Sequence, residues 1–386
     1  YNVATGRAPP SPIKREGSLR QRDISEKKEE ESERTEMEKR EKEERGRRYC
    51  VTGASGYIGS WLVQSLLQQG YLVHATVRDP AKLMHLVSLW TGSERLRLFR
   101  ADLDEDGSFD EAVNGCDGVF HVAASMQFHV PQDHHPNIEA YVEANIVGPA
   151  IKGTINLLKS CTKSKSVKRV IFTSSISTIT AKESNGNYKS IVDESCQIQA
   201  DQVWNTKATG WVYALSKLLT EEAAFKFAQE NGVDLVSIIT TTVAGPFFTA
   251  SVPSSVKVLL SPITGETELF KILTAVNSRM GSLGVVHIED ICSAHIFLME
   301  HPKAQGRYIC CSQSCSLSNL YYLLFQKHPC SNMQRVTDKS DNEVSPEISS
   351  KKLKDLGFSY KHGLEDIVHQ AILCCQDYGF LPPLNQ

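Results

Sequence analysis

Short runs of β-branched and aromatic residues alternate with longer amphipathic stretches along most of the chain. The first run, Tyr49-Cys50-Val51-Thr52, breaks at Gly53, Gly56 and Gly59 and reopens as Trp61-Leu62-Val63-Gln64-Ser65-Leu66-Leu67, which predicts a strand, a tight turn and a helix ending at Gly70. Leu72 to Val77, Leu96 to Ala101, Gly118 to Ala124, Arg169 to Ser175 and Leu235 to Ile239 repeat the strand pattern. Pro149 suits the first turn of a helix reaching about Thr162. Strands alternating with helices of this length predict an α/β fold, a doubly wound parallel Rossmann sheet with right-handed crossovers and its ligand at the carboxyl ends of the strands.

Past Gly245-Pro246 the pattern changes to turns, short helices and a returning strand near Val285-Val286-His287. A helix over Ile291 to Met299, a strand over Arg307 to Cys310 and helices near Leu317 to Gln326 and Leu364 to Tyr378 follow. This part reads as a smaller C-terminal substrate-binding lobe, residues 246–386, interleaved with the sheet of a dinucleotide-binding domain, residues 49–245. No internal repeat is present.

The glycines carry the first chemistry. Gly53 lets the chain reverse, Gly56 lets backbone approach a pyrophosphate and Gly59 lets the helix pack against the strand, while the helix N-terminus offers N–H groups to an anion. Arg78 directly follows the second strand, where an arginine accommodates a 2′-phosphate and an acidic residue would bind a ribose hydroxyl. With Lys82 as a second positive charge this favours NADPH; Asp79, one residue on, is the competing indication of NAD. Ala123 and Ala124 would let backbone lie against the cofactor. The fifth strand ends in Thr173-Ser174-Ser175. Tyr213 and Lys217 stand one helical turn apart and project from one face. Ser175 lies 38 residues before Tyr213 at a strand end.

Composition narrows the class. Of 386 residues 41% are hydrophobic, enough for a sizeable core, and a net charge of −3 leaves no footprint for nucleic acid or an acidic membrane. No apolar run is long enough to span a bilayer. Eleven cysteines, none in C-x-x-C spacing, read as reduced thiols of a cytoplasmic protein, and no metal site is expected from them. His129, His134 and His135 read as a polar loop over the cleft. Residues 1–48 hold 14 basic and 12 acidic side chains with almost no large apolar ones, and read as a disordered charged extension. Residues 1–36 of it are expected to be dispensable.

Thr52-Gly53-x-x-Gly56-x-x-Gly59, Val77-Arg78-Asp79-Pro80, Phe172-Thr173-Ser174-Ser175, Tyr213-x-x-x-Lys217 and Gly306-Arg307-Tyr308-Ile309-Cys310 together resemble the extended short-chain dehydrogenase/reductases. More narrowly they resemble the plant branch of dihydroflavonol 4-reductases, anthocyanidin reductases and cinnamoyl-CoA reductases. Val252-Pro253-Ser254-Ser255, Ser261 to Gly265 and Ile348 to Leu353 look most like anthocyanidin reductases, although Gly59 stands where those enzymes often carry Ala. Thr180 replaces the Asn with which dihydroflavonol reductases grip substrate, Thr240 replaces a usual proline, and the cinnamoyl-CoA reductase motif around the tyrosine is missing.

The resemblance implies a cytoplasmic reductase, a monomer or weak homo-oligomer, acting on a small phenolic molecule. It implies NADPH contacts from Thr52, Gly53, Gly56, Tyr57, Ile58, Gly59, Arg78, Lys82, Asp102, Leu103, Val122, Ala123, Ala124, Tyr213, Lys217 and Ser255. The catalytic set is Ser175, Tyr213 and Lys217, with Tyr213 as general acid and Ser174 as the alternative serine. An ammonium about 4 Å from the phenol, at an effective dielectric of ~20, is worth roughly 4 kcal/mol, so Lys217 is expected to pull the Tyr213 pKa toward neutrality. A nucleotide-sugar epimerase or dehydratase and a non-catalytic dinucleotide sensor share the fold. Against the former, Arg279, Arg307 and Arg335 lie well apart and form no diphosphate clamp.

Overall fold

Seven strands form one parallel sheet in a computed structural model of the chain, which describes residues 46–88, 90, 92–124, 130, 137–329 and 345–382. They are β1 (Arg48–Thr52), β2 (Leu72–Val77), β3 (Leu96–Arg100), β4 (Gly118–His121), β5 (Arg169–Ser175), β7 (Leu235–Thr240) and β10 (Gly306–Cys310), with β6 (Ile191–Val192), β8 (Thr242–Ala244) and β9 (Leu283–His287) lying between them in sequence. The spatial order is β10-β7-β5-β4-β1-β2-β3. Chain direction therefore reverses its progress between β1 and β4, and the crevice at the carboxyl ends of these two strands is where such sheets take ligands. Beside the main sheet, β9 pairs parallel with β8 and antiparallel with β11 (Gln313–Cys315), and β6 pairs parallel with β12 (Glu347–Ile348).

Period-two alternation explains the layering. Tyr49 and Val51 of β1 face a core shared with the Tyr57–Gln68 and Ile288–Glu300 helices, whereas Cys50 faces the layer that holds Leu157, Leu158 and Ala224. A separate core under the C-terminal part joins Leu259, Leu273, Leu320 and Ile367.

Two elements differ from the sequence reading. The helix expected to open at Pro149 is continuous with earlier helix: Ile138–Val142, a π-helical stretch Glu143–Val147, then Gly148–Ser164. Its cap is Asn137, whose side chain accepts the Ala140 N–H at 3.0 Å. Pro149 has no N–H for the ladder, and the wider π turn absorbs the break. The fourth strand stops at His121 rather than Ala124, because the Val122 and Ala123 N–H groups turn from the ladder to the Thr52 hydroxyl, each at 3.1 Å. The charged extension to residue 45, His129, His134, His135 and Arg335 lie outside the described residues, as does the Lys82 side chain. Among the described residues no helix is long and apolar enough to cross a membrane.

Candidate active site

Glycine shapes the turn after β1. Gly53 has φ +69°, and a Cβ there would lie 2.9 Å from Ala123 Cα, so the turn sits directly on the end of β4. At Gly59 a Cβ would overlap the Gly53 carbonyl group and lie 3.1 Å from Ala54 Cα, which is the close helix–strand packing read from the sequence. Gly56 caps the Tyr57–Gln68 helix with no side-chain hydrogen bond, and a Cβ on it would meet only the Gly53 oxygen, at 3.3 Å. Backbone N–H groups at an uncapped helix start, beside an exposed glycine, suit a pyrophosphate. Tyr57 and Ile58 follow at half-buried positions, and the Tyr57 phenol donates to the Gly245 carbonyl at 3.1 Å.

Thr52 has a larger role than its place in the glycine motif suggests. Its buried hydroxyl accepts both the Val122 and Ala123 N–H groups, so its own proton goes to His121 Nδ1 at 3.0 Å. His121 therefore carries its proton on Nε2, which donates to Thr154 Oγ1 at 3.0 Å. Burial, with Lys217 nearby, lowers the His121 pKa to about 3 and keeps the ring neutral.

At the ribose end, Arg78 is exposed immediately after β2. The Asp79 carboxylate is turned to the local backbone, accepting the Ala81 N–H at 3.0 Å. Asp102 likewise accepts the Asp104 N–H at 3.2 Å, and Leu103 is pressed on the Gly148–Ser164 helix, where a Cβ on Gly153 would come within 2.6 Å of its Cβ. Ala124 is exposed in the loop after β4, and Ser255 is half-buried in the first turn of the Ser254–Thr264 helix, whose N-cap makes no side-chain hydrogen bond.

Ser175 closes β5 and its hydroxyl accepts the Ser177 N–H at 3.2 Å. Tyr213, in the first turn of the Trp211–Asn231 helix, is hydrogen-bonded to Ser175. Ser174 Oγ, by contrast, is buried with no hydrogen-bond partner. Lys217 is only 9% exposed; its ammonium donates to the Thr173 carbonyl at 2.9 Å and lies 5.6 Å from the Phe172 ring centroid. Burial lowers its pKa to about 8, against the upward pull of Glu221. The expected lowering of the Tyr213 pKa is not found: burial raises it, with the Ser175 hydrogen bond opposing. The ammonium is aimed at the Thr173 carbonyl, and desolvation of the phenolate wins. Tyr213 is thus a protonated phenol throughout the physiological range.

Two neighbours escaped the sequence reading. Glu221, one turn beyond Lys217, is 3% exposed at its side chain and is bridged by Arg307 of β10. His295 donates from Nδ1 to the Ile291 carbonyl at 2.7 Å, so its Nε2 accepts the Thr173 hydroxyl at 2.9 Å. The i,i+4 spacing from Lys217 was the available signal for Glu221; for His295 there was none. Elsewhere, His287, Glu289 and His362 bring their ligand atoms within 4.8 Å of one another. Their two rings stack at 3.8 Å with 33° between planes, and His287 Nδ1 accepts the Glu289 N–H. The ten cysteines of the described residues are free thiols.

Residues 49–311 match the NAD-dependent epimerase/dehydratase family. Over 338 residues, 86% of this chain and 95% of the relative, the sequence is 47% identical to a candidate anthocyanidin reductase of Ginkgo biloba. It is 43% identical to the dihydroflavonol 4-reductase of Arabidopsis thaliana over 337 residues, covering 86% of this chain and 83% of that one. Vestitone reductase from alfalfa superposes with a TM-score of 0.70 at 34% identity, covering 86% of this chain and 99% of that one. The chain belongs to the NAD-dependent epimerase/dehydratase family, in its extended short-chain dehydrogenase/reductase branch.

Proposed function

We propose that the chain is an NADPH-dependent reductase of flavonoid-type molecules, with an anthocyanidin or dihydroflavonol-like acceptor and Tyr213 as general acid. The observation that carries the reading is the Tyr213 phenol held on Ser175, one helical turn before the buried Lys217. The anthocyanidin and dihydroflavonol reductases among the relatives supply the acceptor class. NADPH fits the residues present: Tyr57 and Ile58 would take the pyrophosphate on backbone N–H groups beside Gly56, whose own N–H is held by the Gly53 carbonyl at 2.9 Å, and Arg78 would take the 2′-phosphate. Asp79 has one carboxylate oxygen engaged with its own turn.

When bound, NADPH supplies the hydride. Tyr213 holds its proton because burial disfavours the phenolate, and gives it to the substrate oxygen as that oxygen becomes basic. Ser175 donates a hydrogen bond where negative charge develops. Lys217 offers a fixed positive charge that favours the transient phenolate, and would bind the nicotinamide ribose. A sugar-nucleotide substrate suits the site less well, because Arg279 donates to the Ile179 and Ile176 carbonyls and Arg307 is held within the protein.

The test is NADPH oxidation against anthocyanidins, dihydroflavonols and hydroxycinnamoyl-CoA thioesters. Turnover should be found with the first two. Tyr213→Phe should then lose about 10² to 10⁴ in rate while still binding NADPH. Turnover of thioesters alone points to a phenylpropanoid carbonyl reductase, and tight NADPH binding with no acceptor to a sensor.

A further inference from the structure

The Gly306-Arg307-Tyr308-Ile309-Cys310 motif marks the family resemblance, yet nothing in the proposed chemistry uses it. Its arginine side chain is 14% exposed and has five N–H donors. All five have partners. Nε donates to Glu221 Oε1 at 3.3 Å and Nη2 to Glu221 Oε2 at 3.1 Å. The second Nη2 hydrogen goes to Thr178 Oγ1 at 3.0 Å, and Nη1 serves the Glu194 carbonyl at 3.1 Å and Gln197 Oε1 at 2.9 Å.

Two of these partners lead to the candidate catalytic set. Thr178 accepts from Arg307 and donates its own proton to the Ser175 carbonyl at 3.0 Å, so the guanidinium is two hydrogen bonds from the serine backbone. Glu221 stands on the same helix as Tyr213 and Lys217, one turn past the lysine, and also accepts the Ser237 hydroxyl at 2.5 Å. The register of β10 on β7 sets Arg307 beside Ser237, which brings the cation to this carboxylate.

We propose that Arg307 is a positioning residue that fixes the Ser175 loop against the Tyr213–Lys217 helix through Thr178 on one side and Glu221 on the other. The inference rests on Ser175, Tyr213 and Lys217 being the reacting groups. Its two arms act differently. The Thr178 arm sets the distance and direction of Ser175 relative to Tyr213. The Glu221 arm holds an anion where it sustains the charge of Lys217.

Other groups around Lys217 do not titrate in the same range. His121 on β4, and His295, which reaches β5 through Thr173, are both held neutral by burial, with pKa values of about 3 and 4. Burial pushes the Tyr213 phenol up, away from this range. An alkaline change between pH 7 and 9 therefore reports Lys217.

Thr178→Val, Glu221→Gln and Arg307→Lys separate the arms, with Tyr213→Phe as control. NADPH fluorescence titration across pH 6 to 10 needs no acceptor; turnover uses the fastest acceptor of the flavonoid panel, and thermal melts accompany each variant. In Glu221→Gln the alkaline loss of NADPH affinity should move to lower pH by roughly one unit. In Thr178→Val that limb should stay put while kcat falls roughly 10- to 100-fold at unchanged NADPH affinity, the cost of a small misplacement. Arg307→Lys, with at most three donors, should lower kcat at least as much. Should Arg307→Lys fail to fold, the two single-arm variants decide. Wild-type kcat in Thr178→Val together with an unmoved limb in Glu221→Gln overturns the proposal, as does loss of kcat and NADPH affinity in equal proportion, which marks a merely structural pin. Full activity of Tyr213→Phe would instead sink the catalytic reading itself, whatever the Arg307 variants do.

Discussion

Thr52→Val keeps the shape of a fully buried side chain and deletes one oxygen. That oxygen has three partners: two N–H groups, from Val122 and Ala123, donate to it at 3.1 Å, and its proton goes to His121 at 3.0 Å. The variant leaves two half-buried backbone donors and one buried imidazole nitrogen without partners. Each net hydrogen bond is worth about 1 kcal/mol, and a buried group left unsatisfied costs about 1 to 3 kcal/mol. Because Val122 and Ala123 can still turn partly to water, a total of roughly 2 to 4 kcal/mol is the expected loss. For a body of this size that corresponds to a fall of about 3 to 6 °C in Tm.

The same hydroxyl holds the end of β4 against Gly53, where no room exists for even a Cβ. Release should let that edge of the dinucleotide cleft relax, with NADPH bound roughly tenfold more weakly. Calorimetry and NADPH fluorescence titration check both quantities, and Thr52→Ser should restore both. A Thr52→Val protein that melts within a degree of wild type and binds NADPH equally well would refute the accounting. The hydroxyl would then be a passenger in the glycine motif.

Lys217 carries a charge lost as pH rises through about 8, so kcat/KM should fall to roughly a tenth by pH 9, and Lys217→Arg should push that limb out of range. A limb that stays near 8 in Lys217→Arg would assign it elsewhere. Arg78→Ala should weaken NADPH binding far more than NADH binding, since only NADPH has the 2′-phosphate; equal losses in titration would remove Arg78 as selector. His121, His287 and His295 titrate at about 3, 4 and 4 in the folded chain. The unfolded chain takes up these protons first on acidification, near pH 6.5. Stability should therefore drop from pH 6.5 toward 4, by about 1.4 kcal/mol per pH unit per histidine, in urea titrations over that range. A flat profile there would mean that the three rings are charged in the fold.

Local signals made much of this molecule legible. The β1 turn is written in three glycines and a β-branched run, and the five strands that follow are bounded by turn residues that periodicity detects. Tyr213 and Lys217 announce themselves because helical spacing puts them on one face. The ionisation of Tyr213 did not follow from that spacing. The pairwise arithmetic assumed a phenol partly in water with the ammonium facing it, whereas the fold buries both and points the ammonium at the Thr173 carbonyl. Pro149 misled for a related reason, since a proline signals a helix start only where no wider turn upstream accommodates its missing N–H.

What sequence could not expose at all is a contact whose partners are far apart along the chain. Arg307 and Glu221 are 86 residues apart, and Thr178 lies 129 from Arg307. They meet only because β10, which lies within the segment read as the substrate lobe, returns to the edge of the sheet beside β7. The consequence bears on where a boundary can be drawn. A dinucleotide-binding unit ending at Gly245 would hold the glycine turn, Ser175, Tyr213 and Lys217. It would lack the strand whose arginine ties the serine loop to the lysine helix, and the buried Glu221 carboxylate would lose its guanidinium, keeping the Ser237 hydroxyl and the charge of Lys217. The proposed chemistry of the Rossmann half is thereby tied to a strand that arrives 61 residues after it would otherwise end.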